Sequence, residues 1–264
     1  MEEPDLRGKT AVVTGGGRGI GRETALKLAR CGARVVVTAR NTDQIDAVAR
    51  EIEEAGGEAF AIPCDVGSAA LVQTLFEATG PVDILINNAG TVHPIAPVVE
   101  ADVVEWRDSI AANLTGVFLM CHYALPHMLE AQWGRIVNVT TGAVRGSTAS
   151  WSAYSAAKAG VETLTKVLAL ETGSFGVRTN AVRPGVVDTE MQVEIRSAPE
   201  QLFGTQNLAR FRGYKERGLL RPAEHPARLI LWLLSEEAAG FNGEVLAIDD
   251  PEVAARVGLT PMGR

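Results

Sequence analysis

The sequence predicts an α/β protein in which a doubly wound parallel sheet of about seven strands carries helices on both faces. Short β-branched runs alternate with longer segments of helical period, which is the pattern of repeated βαβ units. The short runs are apolar at successive positions, as in strands that are buried on both faces. No repeat, low-complexity segment or linker interrupts the 264 residues, so we expect one domain over residues 1–264.

The predicted elements follow from these patterns in chain order. Strands are predicted at residues 11–14, 34–38, 59–63, 82–86, 135–140, 178–182 and 245–248. Helices are predicted at residues 20–30, 42–55, 68–78, 102–130, 152–172 and 223–234. The polar segment 188–221 lacks a clean period and follows a strand end, where long connections are usually functional. We therefore expect it to be a lid over a substrate site.

The charge balance and the apolar content exclude several classes of protein. Lys and Arg number 25 against 32 Asp and Glu, and the net charge of −7 repels nucleic acid and anionic membranes. The chain starts with acidic and polar residues, and no apolar run approaches the ~20 residues of a membrane helix. We expect a soluble, cytoplasmic protein whose partners include neither nucleic acid nor membrane.

The cysteines and histidines point to neither a disulfide framework nor a metal site. Cys31, Cys64 and Cys121 are odd in number, widely spaced and set among apolar residues, which suits buried thiols in a reducing compartment. The four histidines show no His-Glu-x-x-His motif and no Cys/His ligand spacing. No metal is expected.

A glycine-rich turn, TGGGRGIG at residues 14–21, lies between the first predicted strand and the first predicted helix. Glycines there permit positive φ and let backbone N–H groups approach a pyrophosphate at a helix N-terminus, as in Rossmann-type dinucleotide sites. The spacing Gly-x-x-x-Gly-x-Gly differs from the usual Gly-x-Gly-x-x-Gly fingerprint. The alternative is an ordinary glycine-rich turn with no ligand. The position of this turn after the first strand of a βα series favours the dinucleotide site.

Tyr154 and Lys158 lie four residues apart in a predicted helix, so their side chains share one face. A free phenol, with a pKa near 10, needs nearby positive charge to act as a base at neutral pH. A cation about 4 Å away at an effective dielectric of about 20 contributes roughly 4 kcal/mol at most, or ~3 pKa units. Asn113 lies in mid-helix, where Asn is disfavoured, so a role should offset its cost. The alternative for Tyr154 and Lys158 is an amphipathic helix with one aromatic side chain and one solvated amine, and for Asn113 it is a polar residue on a helix surface.

Five motifs in order resemble those of the short-chain dehydrogenase/reductase family over nearly the whole chain. They are TGGGRGIG at 14–21, NNAG at 87–90, Asn113 with Gly116 and Phe118, YSAAK at 154–158 and PGVVDT at 184–189. The resemblance implies a nicotinamide-dependent oxidoreductase with Tyr154 as general acid or base. It further implies that Lys158 holds the ribose hydroxyls and that Asn113 helps to seat a water relay.

The resemblance also implies a set of cofactor-binding residues. Asp65 would contact the adenine ring, and Thr189 would hold the carboxamide. The complete set is Gly15, Gly17, Arg18, Gly19, Ile20, Gly21, Arg40, Asp65, Val66, Asn87, Ala89, Gly90, Tyr154, Lys158, Pro184, Gly185, Val187 and Thr189. Ordinary turn chemistry at strand ends is the alternative for the Asn, Asp, Gly and Pro residues among them.

The end of the second predicted strand bears on the choice between NAD(H) and NADP(H). An acidic side chain there would accept from a ribose 2′-hydroxyl and repel a 2′-phosphate. This chain has Ala39 followed by Arg40, and Arg18 adds a second guanidinium in the glycine-rich turn. We expect NADP(H) to be preferred, with NAD(H) possible, and two solvated surface arginines are the alternative.

One position departs from the family pattern. Relatives place a serine thirteen residues before the tyrosine to bond the substrate oxygen, and this chain has Thr141 there. Threonine keeps the hydroxyl but adds a methyl group and stiffens χ1, so the chemistry should survive in a tighter or slower site. Alternatively, Thr141 is an ordinary strand residue and Ser147 or Ser150 supplies the hydroxyl.

Two functional hypotheses follow. The first is a short-chain NADP(H)-dependent oxidoreductase that reduces a ketone or aldehyde, or oxidises the corresponding secondary alcohol, as a homodimer or homotetramer. Predicted helices 102–130 and 152–172 carry more apolar surface than one sheet face needs, and relatives pair there. The atypical tail from Pro251 leaves that interface open. The second hypothesis is a non-catalytic, nucleotide-binding regulatory protein of the same fold.

Overall fold

The computed structural model describes residues 3–260, and the strands in that range form one parallel, seven-stranded sheet. In chain order they are β1 Thr10–Thr14, β2 Arg34–Thr38, β3 Glu58–Ala61, β4 Ile84–Asn87, β5 Gly134–Val139, β6 Val177–Arg183 and β7 Val245–Ala247. Their order across the sheet is β3-β2-β1-β4-β5-β6-β7. Strands β2 and β3 are added on one side of β1, and β4 to β7 are added on the other side. The neighbouring strands β1 and β4 therefore form a topological switch point at their carboxyl ends.

The strands form where the sequence has β-branched and apolar runs. Every residue of β5 and β6 is buried, as expected for central strands covered on both faces. The predicted α/β fold is confirmed, and the predicted strands differ only at their ends. At β3, hydrogen bonds from Ile62 N to Val37 O and from Cys64 N to Ala39 O continue past the strand's last residue, which explains the longer prediction.

Helices cover both faces of the sheet and its carboxyl edge. They are α1 Gly19–Arg30, α2 Thr42–Glu54, α3 Ala69–Thr79, α4 Val103–Ile110, α5 Gly116–Glu130, α6 Ala143–Gly146, α7 Ser152–Thr172, α8 Glu190–Arg196, α9 Glu200–Phe203, α10 Thr205–Glu216, α11 Glu224–Leu234 and α12 Pro251–Arg256. Side-chain oxygens of Asn41, Ser68 and Asp102 accept from backbone N–H groups and fix the starts of α2, α3 and α4.

Two large apolar clusters lie between the helices and the sheet. One joins residues of α1, α2 and α11 to one sheet face. The other joins residues of α3, α5 and α7 to the opposite face. A third, smaller cluster at the carboxyl edge contains Trp151, Tyr154, Phe203 and Phe211. Tyr154 thus lies where the sheet core meets the segment 188–221.

The predicted uninterrupted helix 102–130 is wrong. A π-helical turn, Ala111–Thr115, separates α4 from α5. At its centre, Asn113 Nδ2 donates to Thr91 O at 2.8 Å and to Ser109 O at 3.0 Å. These bonds to a distant loop and to the preceding turn compensate the wider backbone spacing, which a periodicity analysis cannot detect.

The segment 188–221 contains more regular structure than its sequence indicates, because α8, α9 and α10 all fall within it. Its two ends meet in a parallel bridge between Val187 and Arg221. Backbone bonds of 2.8 Å run from Arg221 N to Val186 O and from Asp188 N to Arg221 O. The segment therefore leaves the sheet edge and returns to the same place, with its two ends joined by backbone hydrogen bonds.

Candidate active site

The carboxyl ends of β1, β4, β5 and β6 meet at one edge of the sheet, and most of the sequence-predicted site residues follow these ends. In open α/β sheets this edge, beside the switch point, is where ligands bind. The described elements around it are the glycine-rich turn after β1, the loop after β4, the π-helical turn, α7 and the segment 188–221.

The glycine-rich turn has no room for a side chain at Gly15 or Gly21. Gly15 and Gly19 have φ of +61° and +52°. A Cβ on Gly21 would lie 2.2 Å from Gly15 O, and one on Gly15 would lie 2.9 Å from the Ala89 Cα. The turn leads into the N-terminus of α1, where backbone N–H groups are free to meet an anion. Its geometry fits the pyrophosphate of a dinucleotide.

Thr14 links this turn to the loop after β4. Its hydroxyl donates to Ile86 O at 3.2 Å and accepts from Asn88 N and Ala89 N at 2.9 and 3.0 Å. Asn88 Nδ2 donates to Thr14 O and Gly15 O at 3.0 and 3.1 Å. Sequence reasoning missed the roles of Thr14 and Asn88, although the pairing of a strand-end threonine with the NNAG motif was visible.

Asn87 supports the site from the interior. Its side chain is buried, and Nδ2 donates to Asn138 Oδ1 at 2.9 Å, across from β4 to β5. Asn138 in turn donates to Thr165 Oγ1 on α7 at 2.9 Å. This chain of side-chain bonds connects the end of β4 with α7.

Asn113 is fully buried and holds the loop after β4 against the π-helical turn. In addition to the donation to Thr91 O, its Oδ1 accepts from Thr91 N at 3.1 Å. A Cβ on Gly90 would lie 2.6 Å from Asn113 Oδ1 and 3.6 Å from Lys158 Nζ. Gly90 therefore lets Asn113 and Lys158 approach the loop closely.

Tyr154, Lys158 and Thr141 converge at the end of β5. The Thr141 hydroxyl hydrogen-bonds the Tyr154 phenol, and Lys158 Nζ donates to Val139 O at 2.8 Å. Burial raises the pKa of Tyr154, which the bond with Thr141 opposes. Burial also lowers the pKa of Lys158 to about 8. The group therefore consists of a protonated phenol, a neighbouring hydroxyl and an amine whose pKa, about 8, lies below its usual range.

The two alternative serines are placed differently from Thr141. Ser150 Oγ donates to Leu202 O in the segment 188–221 at 2.6 Å. Ser147 is exposed and has φ of +44°. Of these three hydroxyls, the one that the structure places against Tyr154 belongs to Thr141.

The arginines expected near the adenosine end of a cofactor are exposed at the surface. Arg18 immediately precedes α1, and its Nη2 lies 3.3 Å from Glu194 Oε1 on α8. The second oxygen of Glu194 lies 3.6 Å from His93 Nε2. Arg40 is exposed two residues after the end of β2. Glu194 thus links the segment 188–221 to the glycine-rich turn, a contact that sequence reasoning missed.

The remaining predicted cofactor residues surround the same edge. Asp65 Oδ1 accepts from Gly67 N at 2.9 Å in the loop after β3, next to buried Val66. The loop after β6 contains Pro184 and Gly185, which has φ of +74°. The Thr189 Cγ2 lies 3.0 Å from the position that a Cβ on Gly19 would take, so the start of the segment 188–221 touches the glycine-rich turn.

Apolar and aromatic residues line the side of the site away from the glycine-rich turn. Trp151 stacks on Phe203 with ring centroids 5.6 Å apart, and its ring edge meets Tyr154 at 5.6 Å. A cavity of about 210 Å³ lies between the loop at His93 and the α8–α9 connection at Pro199. Its lining is mostly apolar but includes carboxylates of Glu100, Asp102 and Glu105.

The cysteine prediction is confirmed for burial, because Cys31, Cys64 and Cys121 are free and buried. Burial raises their pKa values to about 11, 11 and 12.

Over residues 3–260, no group of three or more His, Cys, Asp or Glu side chains is arranged to hold a metal ion. In the same range, no helix is both long and apolar enough to cross a membrane.

Comparisons with known proteins identify several that are similar to this chain. A family model described as short chain dehydrogenase matches residues 9–200. The 3beta-hydroxysteroid dehydrogenase 1 of Eggerthella lenta is 36% identical over 251 residues, which cover 93% of this chain and 94% of that protein. The cis-4-hydroxycyclohexanecarboxylate dehydrogenase of Sinomonas cyclohexanicum is 40% identical over 247 residues, covering 91% and 95%.

A solved structure is similar over almost the same length. It is a crystal structure of a candidate NAD(P) dependent gluconate 5-dehydrogenase from Beutenbergia cavernae with bound NADP at low occupancy. The TM-score is 0.83 at 33% sequence identity, and the match covers 95% of this chain and 98% of that one.

Proposed function

The chain belongs to the short-chain dehydrogenase/reductase family of oxidoreductases, which use nicotinamide cofactors, and from this we propose its specific activity. We propose an NADP(H)-dependent enzyme that reduces a ketone or aldehyde, or oxidises the corresponding secondary alcohol, at the CH–OH group. The observation that carries the proposal is the convergence of the Tyr154 phenol, the Thr141 hydroxyl and the Lys158 amine at the end of β5.

In this proposal the cofactor supplies or accepts the hydride when bound. The backbone of the glycine-rich turn would hold its pyrophosphate, and Lys158 would hold ribose hydroxyls. The loop after β6 and Thr189 would border the nicotinamide end. Asp65 and Val66 would border the adenine. The turn fits a dinucleotide because Gly15 and Gly21 carry no side chains, so the backbone can lie close to the pyrophosphate.

Tyr154 is the proposed general acid in the reducing direction. Burial keeps its phenol protonated, so it can donate a proton to the developing alkoxide. The Thr141 hydroxyl, next to the phenol, would donate to the same oxygen and orient it. Lys158, one helical turn from Tyr154 on α7, would stabilise the phenolate that remains, and its positive charge is present below about pH 8.

Arg18 and Arg40 support the proposed preference for NADP(H). Both guanidiniums are at the surface beside the ends of β1 and β2, and neutral Ala39 stands where an acidic residue would select NAD(H). Glu194 pairs with Arg18 and neutralises its charge. Arg40 is not part of this ion pair and could still contact a 2′-phosphate. NAD(H) remains the expected second cofactor.

The segment 188–221 is the proposed lid, within one domain formed by residues 1–264. Support comes from its position over the aromatic residues beside Tyr154 and from its contact with the glycine-rich turn. A small-molecule carbonyl or alcohol is the proposed substrate, and the rings of Trp151, Phe203 and Phe211, which form one apolar cluster with Tyr154, suit an apolar carbon skeleton. Location in the cytoplasm stays a prediction from the sequence.

The relatives favour an enzyme over the regulatory alternative, because those quoted above bear the names of dehydrogenases. The decisive experiment is to follow loss of NADPH absorbance with a panel of cyclic ketones, aldehydes and diketones, and to repeat it with NADH. We expect reduction of at least one class, faster with NADPH. Tight NADPH binding without turnover of any carbonyl or alcohol would favour the regulatory protein.

A further inference from the structure

A buried ion pair lies one helical turn from Lys158. Glu162 and Arg183 are 8% and 9% exposed. Glu162 Oε1 accepts from Arg183 Nε at 2.8 Å, and Oε2 accepts from Nη2 at 2.6 Å. This bidentate geometry fixes both the distance and the relative orientation of the two side chains.

The Glu162 carboxylate has a third partner. Thr140 Oγ1 donates to Glu162 Oε1 at 3.0 Å, and the same hydroxyl lies 3.5 Å from Lys158 O. Thr140 follows β5, Arg183 ends β6 and Glu162 lies on α7. One carboxylate therefore joins α7, which carries Tyr154 and Lys158, to the carboxyl ends of β5 and β6.

Each member of this cluster is adjacent to a proposed site residue. Thr140 directly precedes Thr141, and Arg183 directly precedes Pro184. Glu162 follows Lys158 by one turn on the same face of α7. The carboxylate itself is buried and engaged by its donors, so it acts on the site through its neighbours.

Stability alone is a weak reason for such a pair. Desolvation of two buried charges offsets much of their attraction, and apolar residues of similar volume often stabilise a fold equally well. A directional pair does something that apolar side chains cannot do: it holds two backbones in one relative position.

We propose that Glu162 is a positioning residue, whose carboxylate fixes α7 against the carboxyl ends of β5 and β6 and so sets Tyr154 and Lys158 relative to Thr141. The proposal rests on the proposed function, since that function defines the reaction for which these groups are positioned. It assigns Arg183 and Thr140 as the partners through which Glu162 acts.

The test removes both charges together, with Glu162→Met and Arg183→Met in one variant, so that no buried charge is left unpaired. We expect a melting temperature near that of the wild type. NADPH affinity should fall less than turnover does, because Lys158 is displaced but the glycine-rich turn is unchanged. Turnover should fall about 10- to 100-fold, because small displacements of reacting groups have effects of that size. The phenol of Tyr154 should also titrate at a different pH, measured as ultraviolet difference spectra against the same variant with Tyr154→Phe.

Two comparisons isolate positioning from general packing. Glu236→Gln removes the carboxylate that lies 3.3 Å from Arg135 Nη2 and 3.1 Å from Arg178 Nη2, near the starts of β5 and β6. This control should change neither turnover nor the Tyr154 titration. Thr140→Val should lower turnover, and Thr140→Ser, which keeps the hydroxyl, should restore it.

A folded double variant with wild-type turnover and a wild-type Tyr154 titration would overturn the proposal. If the double variant does not fold, Thr140→Val decides the question by the same two measurements, since it leaves the ion pair intact. The titration requires no substrate. It therefore still tests the positioning of Tyr154 if the wild type reduces no carbonyl and the proposed function fails.

Discussion

Thr141 and Tyr154 form the smallest unit in which the proposed chemistry can be tested. Tyr154→Phe should keep the fold and NADPH binding but lower turnover by about 10²–10⁴-fold, the usual contribution of a general acid. Thr141→Ala should also lower turnover, because the substrate oxygen loses a donor. Thr141→Ser should preserve or improve turnover by removing the methyl group. Steady-state kinetics with the best carbonyl substrate measures all three.

The controls for this prediction are Ser147→Ala and Ser150→Ala. Since Ser150 donates to Leu202 O and Ser147 is exposed, neither change should affect turnover comparably. Near-normal rates in Thr141→Ala, together with a collapse in either serine variant, would transfer the hydroxyl role to the loop. Full activity in Tyr154→Phe would contradict the mechanism.

Lys158 links function to stability through its buried charge. Its pKa falls from 10.5 to about 8 on folding, so between these values the unfolded chain binds more protons. The free energy of unfolding therefore rises with pH across this window, and below about pH 8 the charge lowers it by up to ~3 kcal/mol. Lys158→Met should stabilise the free protein at pH 7 while abolishing turnover.

This stability difference should shrink as the pH rises from about 8 towards 10.5. Urea unfolding of wild type and Lys158→Met at several pH values measures it. Lys166→Met, an exposed lysine on α7, is the matched control and should show no such trend. A Lys158→Met variant that is less stable than wild type at every pH would contradict the prediction.

Individual site residues were predictable where their spacing in the sequence places reactive side chains on one helical face. Tyr154 and Lys158 share a helical face, and the structure brings both together with Thr141, although their roles stay predictions. Asn88 was missed because its side chain acts on the backbone of a strand far away in sequence. Glu162 and Arg183 were missed because charged residues within apolar patterns give no indication of a partner.

Glu194 on helix α8 of the proposed lid forms an ion pair with Arg18, so it should affect the preference for NADPH over NADH. The side chains of Arg18 and Glu194 are 47% and 36% exposed, so their attraction is of the order of 0.2–1 kcal/mol. A 2′-phosphate would compete with Glu194 for Arg18. Glu194→Gln should therefore strengthen NADPH binding by about 2- to 5-fold, and NADH binding should not change.

Fluorescence titration at low ionic strength measures both affinities, because salt screens exposed charges. Glu190→Gln makes the same charge change one turn earlier on α8 and should have a smaller effect. Equal strengthening of NADH and NADPH binding would show that Glu194 acts on lid closure instead of on the phosphate.

Elements were predictable when their own sequence determines them. The β-branched runs gave all seven strands, and α7 was predicted with the bounds that the structure shows. The π-helical turn was not predictable, because bonds between Asn113 and the distant residue Thr91 stabilise it. The helices of the segment 188–221 escaped detection because packing of Phe203 and Phe211 against Trp151 organises them, not a periodic pattern.

At the scale of the whole molecule, exposed apolar side chains support the proposed oligomer. Val103 on α4, Phe118 on α5 and Leu170 on α7 are all exposed. Surfaces of this kind are typical of subunit interfaces. We expect a dimer or tetramer by light scattering at micromolar concentration, and Phe118→Glu should shift it towards monomer. Phe60→Glu, an exposed phenylalanine on the edge strand β3, is the control and should not.

The fold as a whole was predictable because alternation of buried strands and amphipathic helices permits few arrangements. Parallel strands need crossover helices, and right-handed crossovers place them on both faces. The sequence contains that alternation from β1 to α11. What it does not contain is the packing at the carboxyl edge, where contacts between distant residues decide the details of the site.

The closed base of the segment 188–221 has a consequence for how new specificities arise. The bridge between Val187 and Arg221 is reinforced by Arg221, which donates from Nε and Nη2 to Asp249 Oδ1 at 3.0 and 2.7 Å. Everything between these anchor points leaves the sheet and returns to the same place. An insertion, a deletion or a transplanted segment can therefore replace the interior while β6 and β7 keep their register. Evolution and protein engineering can thus exchange the part of the segment beyond Thr189 and leave Thr141, Tyr154 and Lys158 in place.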